Sequence, residues 1–215
     1  MIGYICAMAK IKNIDTLSVD CSILCCNFVN TVSSWKERDS HEYLESYDSF
    51  LAWCRKLRAA PPSLLQPLAE TAQEHGARTD RALGKIKEIR SLLQRFISAI
   101  AHDHEALVLE LLPKIDQLFR EASAKEQLEY REGNFSMDRN LDPKDLLAPL
   151  WPVVHSLKGL ILENALARIK ECPSCGWVFL DRTKNGRRIW CNPQVCGTYD
   201  KMRRYNERKK GNLPL

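Results

Sequence analysis

Four cysteines carry the chemistry that can be read most directly from this sequence. Cys172 and Cys175 form one close pair, Cys191 and Cys196 a second, and fifteen residues, Gly176 to Trp190, separate them. That spacing suits two loops closing on one ion, and four thiolates satisfy tetrahedral Zn²⁺ completely. No coordination position is left for water or substrate, so the metal expected here is structural.

The elements that must position these thiols follow from the residues between and after them. Trp177-Val-Phe-Leu-Asp181 alternates, Asn185-Gly186 is a tight-turn dipeptide, and Arg187-Arg188-Ile-Trp190 is expected to return as the partner strand. From Thr198, an expected N-cap, to Lys210 there is neither Pro nor Gly, and Gly211 follows, so a helix is predicted. Knuckle, hairpin and helix together predict a treble-clef-like zinc ribbon. At about 100° per residue, Tyr199, Met202, Tyr205 and the stem of Lys209 share one side of the helix, expected to pack on the hairpin. Lys201, Arg204 and Arg208 line another.

Charge is concentrated in the same region. Residues 168–215 hold twelve Lys/Arg against four Asp/Glu, net +8, while residues 1–167 are net −3. A cationic helix with Lys201, Arg203, Arg204, Arg208 and Lys209, beside Arg187 and Arg188, is the footprint of a phosphate-backbone binder, with duplex DNA the expected partner. A solvated basic face is the alternative.

The segment resembles the CGNR zinc-finger family through Cys175-Gly-Trp-Val-Phe-Leu-Asp181, Trp190-Cys191, Cys196-Gly197 and Lys201-x-Arg203-Arg204. The resemblance implies that the four cysteines are zinc ligands. Two departures stand out: the signature Asn and Arg are replaced by Thr198 and Tyr199, and the arginine pair is displaced to give Arg188-Ile-Trp-Cys191. Upstream, Phe28-Val-Asn-Thr31 is similar to a motif near the start of the ABATE domain, the helical region preceding the finger in this family. That resemblance implies a stress-induced transcription regulator.

The remaining chain predicts a mainly α-helical domain over residues 1–168, with the finger over 169–215. Its composition, 45% hydrophobic and 27% charged, is ordinary for a globular protein. Nine cysteines, four of them assigned to zinc and two adjacent at Cys25-Cys26, suit free thiols in a reducing cytoplasm. The apolar start, Met1 to Ala9, is too short to span a bilayer and is expected to form a strand or packed arm. Ser22 to Val32 is expected to be a buried strand or short helix start. Helices are predicted over 41–58, 64–75 with Ser63 as cap and Gly76 as stop, 79–101, and 105–124 with a kink at Pro113. A short helix after Asp142-Pro143 and another from Pro152 to Ile169 complete the set. Leu128, Tyr130, Phe135 and Met137 alternate around Glu132-Gly-Asn134 and predict a small hairpin. His102-Asp-His104 holds two metal-ligand types, but residues two apart on a helix diverge, so a polar junction is expected. Only Lys170 and Glu171 separate the last helix from Cys172, so the finger is expected to be fixed to the helical domain.

No phosphate-binding glycine loop, nucleophile elbow or H-E-x-x-H is present, and the five histidines show no nucleophile–base pairing, so no enzyme is expected. Three function classes remain. The chain is a DNA-binding regulator whose helical domain senses or dimerises, or a protein-interaction module built on the zinc ribbon. Alternatively, its helical domain binds a small-molecule effector, with Asn30 and Arg90 as polar contacts. For Asn30 the competing role is that of a buried amide tying two backbone segments together.

Overall fold

The computed structural model describes residues 12–19, 21–139, 141–163 and 165–211; the expectation for Met1 to Ala9 lies outside them. Seven α-helices are described: α1 (Leu24–Val29), α2 (Tyr47–Lys56), α3 (Pro62–Glu74), α4 (Gly76–Ala101), α5 (Glu105–Ser123), α6 (Trp151–Leu162) and α7 (Thr198–Gly211). They are accompanied by two antiparallel two-stranded sheets, β1 (Glu126–Arg131) with β2 (Asn134–Arg139), and β3 (Ile169–Glu171) with β4 (Val178–Leu180). No described helix is long and apolar enough to cross a membrane.

Helix α4 is the axis of the molecule. Leu83, Ile86, Ile89, Leu93, Phe96 and Ile97 recur at helical spacing and are all buried, which turns one stripe toward the core. Around it pack α1, α2, α3 and α5, and its C-terminal half also meets β3 and β4. Phe28, Phe50 and Trp53 close the core from α1 and α2, with Trp53 edge-on to Phe28 at 5.4 Å.

Several expected boundaries move, each for a local reason. The 41–58 helix starts only at Tyr47, because Ser46 and Ser49 form a reciprocal capping box and Val32 bridges Glu42 upstream. Ser63 does not cap α3, which begins at Pro62 with Pro61 before it. Gly76 opens α4 rather than ending α3, so the two helices share His75 as a joint. The segment after Asp142-Pro143 forms turns and a 3₁₀ turn, Ala148–Leu150, in place of a helix. Helix α6 stops at Leu162, and a second 3₁₀ turn, Ala165–Arg168, delivers the chain into β3. The β1–β2 hairpin forms as predicted, with a turn at Glu132-Gly133.

Candidate metal centre and nucleic-acid interface

The knuckle sits at the tip of the β3–β4 hairpin. Cys172 N donates to Trp177 O at 2.8 Å and Gly176 N to Cys172 O at 2.9 Å, closing the loop tightly. Gly176 has φ +77°, and a Cβ there would lie 2.9 Å from the Cβ of Trp35. Both conformation and closeness therefore require glycine. The other cysteine pair is shaped by Asn192, whose side chain accepts from Gln194 N (3.0 Å) and Val195 N (3.1 Å) and winds Pro193–Gly197 into a single π turn. This turn runs straight into α7, so Asn192 takes the capping role expected of Thr198.

These two supports bring Cys172, Cys175, Cys191 and Cys196 together, with all four sulfurs within 4.8 Å of one another. The separations Cys175–Cys191, Cys191–Cys196 and Cys175–Cys196 are 3.5, 3.6 and 3.7 Å. A Zn–S bond of about 2.3 Å gives a tetrahedron with edges of about 3.8 Å, so the residues fit zinc. Proton chemistry points the same way. Hydrogen bonds from Cys175 and Cys191 pull the Cys172 thiol down, while the bond to Cys172 pushes the thiols of Cys175 and Cys191 up. Sulfurs this close shed all their protons only around a cation.

The loop between the pairs differs from the expected hairpin. Strand β4 pairs with β3, Ile169 opposite Leu180 and Glu171 opposite Val178, and Arg187–Trp190 is not a strand. The reason is Asp181, buried beneath the loop. Its carboxylate accepts from Lys170 Nζ (2.8 Å), Thr183 N (3.0 Å), Thr183 Oγ1 (2.6 Å) and Arg188 N (2.9 Å). Those bonds, Lys170 foremost, hold its carboxyl well below the usual range. They also fold residues 181–188 around a side chain, which leaves the Arg188 amide unavailable to a ladder.

Of the cations assigned to nucleic acid, the structure leaves some outward and turns others inward. Arg187, Lys201 and Arg208 are exposed, with no hydrogen bond or ion pair among the described residues, as are Arg182 and Lys184 nearby. Lys209 is exposed with its ammonium 5.0 Å over the Tyr205 ring. Arg188, by contrast, is a structural residue: its guanidinium lies 4.7 Å over the Phe179 ring and donates to Trp190 O (2.9 Å) and to Cys191 O. It braces the loop that carries a ligand. Arg203 and Arg204 pair with the buried Asp200 at 2.8 and 2.9 Å and are available to a phosphate only in part. Tyr199, Met202 and Tyr205 are 56, 60 and 58% exposed and do not pack on the hairpin. They form an outward apolar stripe bordering the cationic one.

Neither residue assigned to an effector lines a ligand pocket. Asn30 Nδ2 donates to Val178 O at 2.9 Å and Asn30 Oδ1 accepts from Val178 N at 3.0 Å, so one side chain from the helical domain completes the buried edge of β4. The space beside it, walled by Cys21, Trp177 and Val178 among others, is about 10 Å³, room for one water at most. Arg90 is equally committed. It is gripped by Glu42 through two bonds of 2.7 and 2.5 Å, reaches Thr31 Oγ1 at 2.9 Å, and lies 5.7 Å from the Trp35 ring.

These contacts fix the finger to the body, as the missing linker predicts. Trp35 N and Ser34 Oγ both donate to Cys175 O, at 2.7 and 3.2 Å, Trp177 Nε1 donates to Val32 O at 2.6 Å, and Glu171 is met by Lys36 at 3.2 Å and Ser98 Oγ at 2.5 Å. Ser34 and Trp35 thus hold the backbone of a metal ligand. Sequence reasoning missed Ser34, Trp35, Asp181 and Asp200. For Asp181 a signal existed, the lone acid between the cysteine pairs, following an apolar run and preceding four cations, Arg182, Lys184, Arg187 and Arg188; for Ser34 and Trp35 none did.

A helical body clamped to a four-thiolate ribbon is the architecture of a zinc-finger protein with an N-terminal helical domain. Residues 23–163 match the ABATE family model, described as "Putative stress-induced transcription regulator", and residues 168–209 match the CGNR zinc finger. The first match covers more than half of the chain, which therefore belongs to the ABATE family and carries a CGNR zinc finger. No curated protein matches the chain.

Proposed function

We propose that this chain is a zinc-dependent, nucleic-acid-binding transcription regulator and not an enzyme. Zn²⁺ bound by Cys172, Cys175, Cys191 and Cys196 is structural, because four protein thiolates saturate a tetrahedral ion. The observation that carries the reading is the exposed set Arg187, Lys201 and Arg208, unpaired among the described residues and joined by Lys209, on a platform clamped to the helical body. Duplex DNA is the partner this favours. The cations meet phosphates, and the bordering Tyr199, Met202 and Tyr205 reach the groove edge as apolar contacts. Zinc's part is to hold α7 at a set angle; the side chains of α7 do the binding. With Thr198 and Tyr199 standing where the signature has Asn and Arg, the phosphate contacts on α7 rest on Lys201 and Arg208.

The test is a selection of random duplexes by the purified zinc-loaded chain, read by sequencing. Enrichment of a motif, lost in Lys201→Ala/Arg208→Ala, supports the proposal. A recovered pool without enrichment and no retention at low salt overturns it.

A further inference from the structure

The outward face of the β1–β2 hairpin carries four large apolar side chains left uncovered among the described residues. Leu128 lies opposite Met137 and Tyr130 opposite Phe135, so all four side chains share one face. They are 62, 58, 63 and 72% exposed, and the Tyr130 and Phe135 rings touch at a centroid distance of 4.8 Å. The intervening positions Gln127, Glu129, Arg131, Asn134 and Ser136 are polar. This strict alternation is the pattern of a ribbon with one buried face. A two-stranded ribbon is also marginal on its own and gains its stability by packing that face. Here the ribbon is tied to the body at its base, where Glu126 meets His155 at 3.2 Å, and its apolar face is left largely uncovered by the described residues.

We propose that this face is a homodimer interface, covered by the same hairpin of a second copy packed across a two-fold axis. Three observations favour a second copy. First, the face is self-matching. An antiparallel two-fold sets the aromatic pair Tyr130/Phe135 of one copy over the aliphatic pair Leu128/Met137 of the other, which brings thioether against ring edge. Second, charge permits it, because Glu129 and Arg131 stand on the opposite face and pair with each other at 2.7 Å, so the apolar faces of two ribbons approach without a like-charge clash between them. Third, the area is sufficient. Two largely exposed aromatics and two aliphatics offer about 500 Å² per copy, about 1,000 Å² over both partners, which meets the lower bound for a biological interface. If the nucleic-acid reading above also holds, the dimer presents two α7 helices related by a two-fold axis, and the target is a pair of inverted half-sites. The interface itself does not depend on that reading.

The experiment is sedimentation equilibrium of the full zinc-loaded chain without DNA, up to about 50 μM, a range in which an interface of this size associates. The expected mass is twice 24.7 kDa. Tyr130→Glu/Phe135→Glu should weaken the dimer at least about thirty-fold, as loss of central anchor residues does. A control pair on the opposite face, Gln127→Glu/Ser136→Glu, perturbs the ribbon equally and should leave the dimer intact. Far-UV circular dichroism should be unchanged in both. A wild-type chain that stays at 24.7 kDa, whether a different protein or another part of the chain covers the patch, overturns the proposal. So does a Tyr130→Glu/Phe135→Glu dimer of undiminished strength, or equal weakening by the control pair. A dimer that fails to bind DNA leaves this inference standing and removes the nucleic-acid reading, and a DNA-binding monomer does the reverse.

Discussion

Replacing Asn30 with alanine removes the side chain that joins the helical body to the finger at its most buried point. In the native chain its amide pairs with both the N–H and the C=O of Val178, at 3.0 and 2.9 Å, and Val178 is fully buried. Without it two buried backbone groups lose their partners, at about 1–3 kcal/mol each. The neighbouring space of about 10 Å³ grows when the amide is removed, and a water entering it would restore one bond. The net loss is therefore about 2–4 kcal/mol, a large share of a typical domain's stability. The assay is equilibrium unfolding of the zinc-loaded protein in urea, followed by far-UV circular dichroism, with zinc retention read by a chromophoric chelator. Asn30→Asp keeps the acceptor for Val178 N but sets a carboxylate oxygen against Val178 O, so it should be no more stable than Asn30→Ala. A loss below about 0.5 kcal/mol for Asn30→Ala, within the range of an ordinary surface substitution, would refute the clamp.

Three further outcomes follow from other contacts. Burial raises the Glu42 carboxyl, but the bonds and charge of Arg90, the Leu44 amide and Lys87 outweigh that and hold it below its ordinary value of 4.5. Its contribution is therefore complete above that value and lost as pH falls through the depressed one. The urea stability gap between wild type and Glu42→Gln, about 2–3 kcal/mol near neutrality because Arg90 loses its counter-charge, should shrink progressively in acid. Arg188→Ala should lower finger stability by about 1–2 kcal/mol through the lost ring contact and carbonyl bonds, while leaving the salt dependence of DNA binding unchanged. Gly176→Ala should cost about 1–3 kcal/mol in thermal or chemical unfolding, since the new Cβ meets Trp35 and the backbone keeps a positive φ.

How much of this was legible in the sequence depends on whether the deciding interaction is local. The cysteine set could be read because ligand type and spacing encode coordination directly. Helix α4 could be read because its apolar stripe repeats over many turns. The Ser46–Ser49 capping box was readable too, yet Tyr43 and Leu44 continue the helical period upstream and concealed the true start. The finger's strand pairing was not legible from the Asn185-Gly186 turn, because Asp181 binds the loop through its side chain and Ile169–Glu171 takes the strand edge. Periodicity placed Tyr199, Met202 and Tyr205 on one face of α7 but carries no information about what that face meets. The same limit applies to Arg188: its charge is written in the sequence, whereas its burial against Phe179 is a property of the folded loop. Asn30 lies in between, since a polar residue in an apolar run announces a buried partner without naming Val178.

The most direct measurement is the affinity of the zinc-loaded chain for a duplex as a function of salt. With Arg187, Lys201, Arg208 and Lys209 neutralising about four phosphates, log affinity against log salt should have a slope near −3.6, flattening by about 0.9 in Lys201→Ala and again in Arg208→Ala. Stripping the metal should abolish that binding. A slope near zero, or one that is the same with and without zinc, would contradict the assignment of α7 as a metal-positioned phosphate-binding element.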